Sequence, residues 1–140
     1  MESNENKRLL QHVFSEMAKG NSRPFVECLA DDVRWTVTGT TPWSKTYEGK
    51  ESALRDLLAP LRTKFATSYK STAIRVIAEG DFVVVEARGD VMTKRNMPYN
   101  NAYCFVYRLA GGKVRELVEY ADTALVTAAL GDPTEASPPE

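Results

Sequence analysis

Residues 82–90 read FVVVEARGD. The run of β-branched valines marks a strand, and the period of two divides it into two faces. One face carries Phe82, Val84, Glu86, Arg88 and Asp90. The other carries Val83, Val85, Ala87 and Gly89. The second face is apolar throughout, whereas the first starts apolar and ends in three charges. The expectation carried forward is that the charged end points into a cavity built by the rest of the chain. A solvated strand end or a structural ion-pair network is the competing reading.

Strand-like runs flank this stretch. About Tyr69 to Ala78 precedes it, and its own run extends to about Thr93. Tyr99 to Leu109 and Val114 to Ala121 follow. The links Glu79–Gly80–Asp81 and Ala110–Gly111–Gly112 are short and contain glycine, as hairpins require. The result is an antiparallel meander. Upstream, Leu9, Leu10, Val13, Phe14 and Met17 form one stripe at helical spacing and predict a helix from about Asn4 to Lys19. Pro24 in a first turn predicts a second short helix, with Phe25, Val26, Cys28 and Leu29, ending near Ala30. Val33 to Thr38 reads as a strand with Val33, Trp35 and Val37 on one face. Gly39 to Glu48 reads as a loop carrying Trp43 and Tyr47. Leu54, Leu57, Leu58, Leu61 and Phe65 predict a third helix, which Pro60 should kink or divide. Thr123 to Leu130 adds a last helical turn or two. Asp122 before it reads as a helix cap, and Asp31–Asp32 as turn residues before a strand.

The 140 residues make a single domain over 1–130, with a mobile, proline-rich and acidic tail over 131–140. A composition of 43% hydrophobic and 26% charged residues is that of an ordinary globular protein, and a net charge of −1 without a basic stripe argues against nucleic acid and anionic membranes. The polar start MESNENKR and the lack of a long apolar run predict no signal peptide and no membrane span, hence a cytoplasmic protein. Cys28 and Cys104 sit on apolar faces and read as buried thiols. A single histidine, His12, reads as a helix-boundary residue, and zinc is not expected. The order of elements gives an α+β class with helices gathered on one side of a sheet. The central strands are apolar on both faces, and helices cover only one. Ala102, Cys104, Val106, Val118 and Tyr120 would lie outside with Val83, Val85 and Ala87, which predicts a homodimer through the outer sheet face.

On the inner face the expected set is Trp35, Val37, Glu86, Arg88, Asp90, Asn101, Tyr103, Phe105, Tyr107, Leu117 and Glu119. Apolar walls with a few convergent polar groups describe a small-molecule pocket. Arg88 can satisfy both Asp90 and Glu119 through its fork, leaving one carboxylate as base and the other as acid. Trp35, Trp43, Glu86, Asn101 and Tyr103 would contact the substrate.

The DD-V-x-W strand, the loop running to Y-E-G-K-E and the ending G-G-K-V-x-E-L-V-E-Y-A-D resemble the SnoaL-like branch of the NTF2-like superfamily, which includes ketosteroid isomerases. The resemblance spans about Asn6 to Leu130. It implies a cone-shaped α+β barrel, with a strongly curved, mainly antiparallel sheet wrapping three N-terminal helices around a pocket, in a dimer. The isomerase machinery of that superfamily would fall at about Val13, Val37 and Tyr103 or Cys104, none of which fits it. Arg88-x-Asp90 with Glu119 is similar to the carboxylate–arginine–carboxylate set of limonene-epoxide hydrolases. Glu119 or Asp122 is similarly placed to the acid of polyketide cyclases. The resemblance therefore implies cofactor-free acid–base chemistry on an apolar oxygenated substrate, by hydrolysis, isomerisation or cyclisation. The alternative is a hydrophobic-ligand-binding or dimerisation module without turnover.

Overall fold

The structure is a computed structural model, and it describes residues 2–135. Helix α1 spans Glu2–Met17 and α2 spans Arg23–Cys28. Strands β1 (Leu29–Val37) and β2 (Lys45–Glu48) follow. A third helical stretch comes next, made of α3 (Lys50–Ser52), a π-helical turn (Ala53–Leu58) and α4 (Ala59–Lys64). Strands β3 (Lys70–Glu79), β4 (Phe82–Asp90), β5 (Ala102–Ala110) and β6 (Lys113–Ala121) form the meander, and α5 (Thr123–Leu130) closes the fold. All six strands share one sheet in the order β2-β1-β6-β5-β4-β3. Pairing is antiparallel except between β1 and β6, so the sheet is mixed and mainly antiparallel. It curls around the helices in the expected cone, with α1 laid across β3 and β4.

Local chemistry accounts for the elements. The stripe of α1 puts Leu10, Val13, Phe14 and Met17 in the core, and His12 is exposed on its flank. Pro60 divides the third helix as expected. Its ring cannot donate to the ladder and crowds the carbonyl four residues back, and the wider π turn just before it relieves both problems. Asp122 caps α5, accepting from the backbone N–H groups of Ala124 and Leu125 at 3.1 and 3.3 Å. Asp31 and Asp32 lie inside β1, not before it. There β1 advances from Leu29 to Arg34 while β6 advances from Val114 to Glu116, which makes a bulge. Part of the anticipated loop over 39–48 is strand β2, whose Tyr47 pairs with Trp35.

The main correction concerns the faces of β4. Val83 and Val85 are fully buried and Ala87 is 1% exposed, whereas Phe82 is 46% exposed. Val83, Val85 and Ala87 therefore face the helices. Phe82, Val84, Glu86, Arg88 and Asp90 form the outer face. The physical reason is a difference in cost. Burying one valine gains about 1.5–3 kcal/mol, but each charge taken from water costs several kcal/mol. A strand with three charges on one face turns that face outward even where doing so exposes Phe82. Glu86 is paired there with Arg75 on β3 at 2.8 Å.

On β5 and β6 the expected faces match the structure. Asn101, Tyr103, Phe105, Tyr107 and Leu117 are buried, while Ala102 and Tyr120 are exposed. Of the anticipated tail, 136–140 lie outside the described residues. Residues 131–135 are docked: Trp43 Nε1 donates to the Gly131 carbonyl at 2.8 Å, the buried Lys64 ammonium donates to the Glu135 carbonyl, and Arg95 pairs with Glu135 at 2.6 Å. Among the described residues, no helix is long and apolar enough to cross a membrane.

Candidate active site

A cavity of about 120 Å³ lies between the inner sheet face and the helices. That is near the ~150 Å³ of a void that accepts one benzene ring, and below the usual ~300 Å³ of larger ligand pockets. Its walls are mainly aromatic and aliphatic. Trp35 and Val37 come from β1, Trp43 from the loop after it, and Phe14 and Met17 from α1. Leu57, Leu58 and Leu61 come from the π turn and α4. Both tryptophans of the chain, Trp35 and Trp43, therefore line it.

Glu119 is the one carboxylate among the lining residues. Two neighbouring strands fix it. Phe105 on β5 and Val37 on β1 are its register partners, and its own carbonyl accepts from the Thr38 N–H at 3.1 Å and the Thr38 hydroxyl at 2.8 Å. Trp35 Nε1 donates to Oε1 at 3.2 Å, and the Trp35 ring is itself held edge-on by Phe25 at 5.4 Å. Oε2 receives no hydrogen bond from any described residue, so it is the oxygen free to exchange a proton with a bound molecule. Burial among apolar side chains raises the Glu119 pKa to about 7, and the single bond from Trp35 offsets only part of this. Among the described residues, no cation contributes to its environment.

Tyrosine hydroxyls supply the rest of the polarity. Tyr103 exchanges hydroxyl contacts with Tyr69 and Tyr99, and all three line the cavity. Burial raises each phenol, Tyr99 to about 12, and the Glu119 charge pushes the same way. They stay protonated and act as hydrogen-bond donors. Gly89 makes this cluster possible: a Cβ there would stand 3.2 Å from the Tyr103 ring and 3.3 Å from the Tyr69 hydroxyl. Asn101 stands behind the cluster, outside the cavity lining. Its amide donates to the Tyr99 hydroxyl and the Asp122 carbonyl at 3.2 Å each, and its Oδ1 accepts from Asp122 N–H at 3.0 Å. With both N–H donors of its amide committed and its side chain outside the cavity lining, it positions Tyr99.

Of the anticipated site residues, the structure brings together Trp35, Trp43, Tyr103 and Glu119. Arg88, Asp90 and Glu86 lie across the sheet on the outer face, so the carboxylate–arginine–carboxylate set is not assembled. Tyr69, Tyr99 and Arg62 were missed. Parity alone would have found the two tyrosines, since Tyr69 precedes the inward Ser71 by two residues and Tyr99 precedes Asn101 by two. Cys28 is a buried thiol pushed up to about 11 by its apolar surroundings and bonded to the Phe25 carbonyl, while Cys104 is half-buried on the outer face. Among the described residues, no three His, Cys, Asp or Glu side chains converge as metal ligands.

A curled α+β sheet closed by helices over an apolar cavity with one internal carboxylate is an NTF2-like fold. The sequence matches the SnoaL-like domain family over residues 10–117, and the chain belongs to that family. Solved structures agree in fold. An NTF2-like protein of unknown function from Burkholderia pseudomallei K96243 is 18% identical, with a TM-score of 0.76 over 89% of this chain and 96% of its own. A SnoaL-like polyketide cyclase, so described as putative, from Jannaschia sp. CCS1 is 21% identical, with a TM-score of 0.75 over 98% and 95%. An isomerase, also described as putative, from Bacillus subtilis is 18% identical, with a TM-score of 0.76 over 99% of both chains. No functionally curated protein matches the sequence.

Proposed function

We propose that this protein is an acid–base enzyme that moves a proton on a compact, oxygenated ring compound, as an isomerase or cyclase does. One observation carries the reading: Glu119 is held by Trp35 inside an apolar cavity, with a pKa of about 7, beside the Tyr69–Tyr99–Tyr103 hydroxyls. At that pKa the carboxylate is poised both to take and to return a proton near neutrality. Glu119 Oε2 removes a proton from carbon next to a carbonyl, the electron pair moves onto the carbonyl oxygen, and the tyrosine donors hold the resulting enolate. The Glu119 carboxylic acid then returns its proton to a different carbon in isomerisation. In cyclisation, the enolate carbon instead attacks a second carbonyl, whose oxygen receives the proton. Hydrolysis by two carboxylates and an arginine is the weaker reading, because Arg88 and Asp90 lie on the opposite face from Glu119. The fold shared with proteins described as a putative cyclase and a putative isomerase supports the class but not the substrate.

The test is solvent exchange. A panel of single-ring enones and β-diketones is incubated with the protein in deuterated water and followed by NMR. Deuterium should enter next to the carbonyl, and Glu119→Gln should slow entry by about 10²–10⁴-fold while binding persists. Exchange unaffected by that substitution would remove Glu119 from the chemistry.

The outer sheet face supports a second part of the reading, a homodimer. Ile77, Val84, Val106 and Val118 are in register across four strands and form a continuous aliphatic row, flanked by Phe82 and Tyr120. Ion pairs of both signs rim it, Arg75–Glu86 and Arg108–Glu116. Such a face is self-complementary about a two-fold axis. Sedimentation velocity should show a dimer that Val106→Glu converts to a monomer. A monomeric wild type would refute the assignment.

A further inference from the structure

Among the residues lining the cavity, Arg62 is the one that is exposed, and it is the one cation. It stands in the last turn of α4, beside the half-buried Leu58 and Leu61 and across from Ser22 and Val26 at the start of α2. Arg62 is the most open part of the lining, Phe14, Trp35, Tyr103, Phe105 and Tyr107 are its buried aromatics, and Glu119 and Tyr69 are half-buried. The Arg62 guanidinium, like those of Arg8 and Arg88, donates to no described residue, whereas Arg23, Arg34, Arg55, Arg75, Arg95, Arg108 and Arg115 each meet a carboxylate; of the three without a partner, Arg62 is the one that lines the cavity. A cation at the end of α4 also favours the helix dipole, but Lys64 in the same turn supplies that charge from a buried position.

We propose that Arg62 is the anion-recognition residue of this cavity, and that the ligand is a single-ring compound bearing a carboxylate. The inference rests on the proposed proton-transfer site for the orientation of the ligand but not for its binding. Three features argue for it. The cavity volume admits about one ring. The guanidinium fork offers two parallel donors that match a carboxylate, and at a mouth it stays solvated until the ligand arrives. The floor also rejects an anion: Glu119 is already there, and a second negative charge beside it has no cation to meet. The ring therefore enters first, its oxygen reaching the tyrosine hydroxyls, and the carboxylate remains at the mouth on Arg62. Specificity then has two ends, a charge at the rim and a proton acceptor at the base.

Trp35 and Trp43 both line the cavity, so intrinsic fluorescence, backed by calorimetry, reports its occupancy. The probes are phenylacetate and phenylacetamide, which differ in charge and hardly in shape. Wild type should bind the acid about five- to tenfold more tightly than the amide, the size of a partly solvated charge-assisted contact. Arg62→Gln should abolish that preference by weakening the acid much more than the amide, and Arg62→Lys should retain part of it. Equal affinities in the wild type overturn the proposal. So does an Arg62→Gln variant that weakens both probes alike, or a lack of binding by either probe at millimolar concentration. Because Arg62 is exposed, its replacement leaves the core intact, and circular dichroism verifies folding. The two readings fail separately: an Arg62-dependent preference that survives in a protein without Glu119-dependent exchange keeps this site and removes the enzyme.

Discussion

The Glu119→Gln substitution makes the clearest demand on the reasoning, because it should stabilise the protein increasingly as pH rises above 4.5, and fully above about 7. The Glu119 carboxyl has an ordinary value of 4.5, and burial in the cavity raises it to about 7 in the folded chain. Below pH 4.5 the group is protonated in both the folded and the unfolded states and costs nothing. Between 4.5 and 7 the unfolded chain gives up the proton while the folded chain keeps it, so folding grows less favourable as pH rises. Above 7 the folded protein carries a buried charge, and the full penalty applies. At about 1.4 kcal/mol per pH unit, the span amounts to roughly 3 kcal/mol. Screening by water that enters the cavity makes this an upper bound. Glutamine preserves the shape and can still accept from Trp35 Nε1, and it has no charge to desolvate. Urea unfolding of both proteins from pH 4.5 to 8.5 checks the prediction. The variant's advantage should grow through the window to about 3 kcal/mol, or roughly 10 °C in Tm for a chain of this size, and level off above pH 7. Other titrating groups cancel in the difference. A difference that stays flat across the window would show that Glu119 is not desolvated, and the proton-transfer reading would lose its foundation.

The deuterium-exchange rate should itself rise with pH through about 7 and then level, since the base must be ionised to accept a proton, and the step should vanish in Glu119→Gln. Gly89→Ala should lower the exchange rate with little loss of stability. The added methyl presses on the Tyr103 ring at 3.2 Å and on the Tyr69 hydroxyl at 3.3 Å, and must move the donors by a few tenths of an ångström. An unchanged rate in a folded Gly89→Ala protein would exclude the tyrosine cluster from the reaction.

What could be read in the sequence depended on how strands are joined. Two glycines connect β5 to β6, but a one-residue register shift between Arg108 and Leu109 breaks the parity that the turn would carry. Beyond that shift, the alternation within each strand gives the faces: Tyr103, Phe105 and Tyr107 on β5, and Leu117 and Glu119 on β6. The helices were equally legible, because their stripes and the Pro60 break are local. Between β4 and β5, by contrast, lie residues 91–101, where Val91, Thr93 and Met97 fold back through their own bonds. No turn carries register across such a loop, so the faces of 82–90 had to be decided from the strand alone. Convergent charge at 86–90 suggests an inward face, but the cost of desolvating three charged side chains outweighs it and turns that face to solvent.

The consequence for the site is specific. Removing Arg88 and Asp90 from the cavity leaves Glu119 without a cation, and the absence of a cation is what lets burial raise it to about 7. Had Arg88 pointed inward, its charge would have held the carboxylate low and made it a poor proton carrier at neutral pH. The 82–90 stretch still shapes the site, through the residue that contributes least bulk. Gly89 faces inward with Val83, Val85 and Ala87, and the space it leaves is where the Tyr69 and Tyr103 hydroxyls meet. A run of charges drew attention to the strand, but the missing side chain at 89 is its contribution to the proposed chemistry.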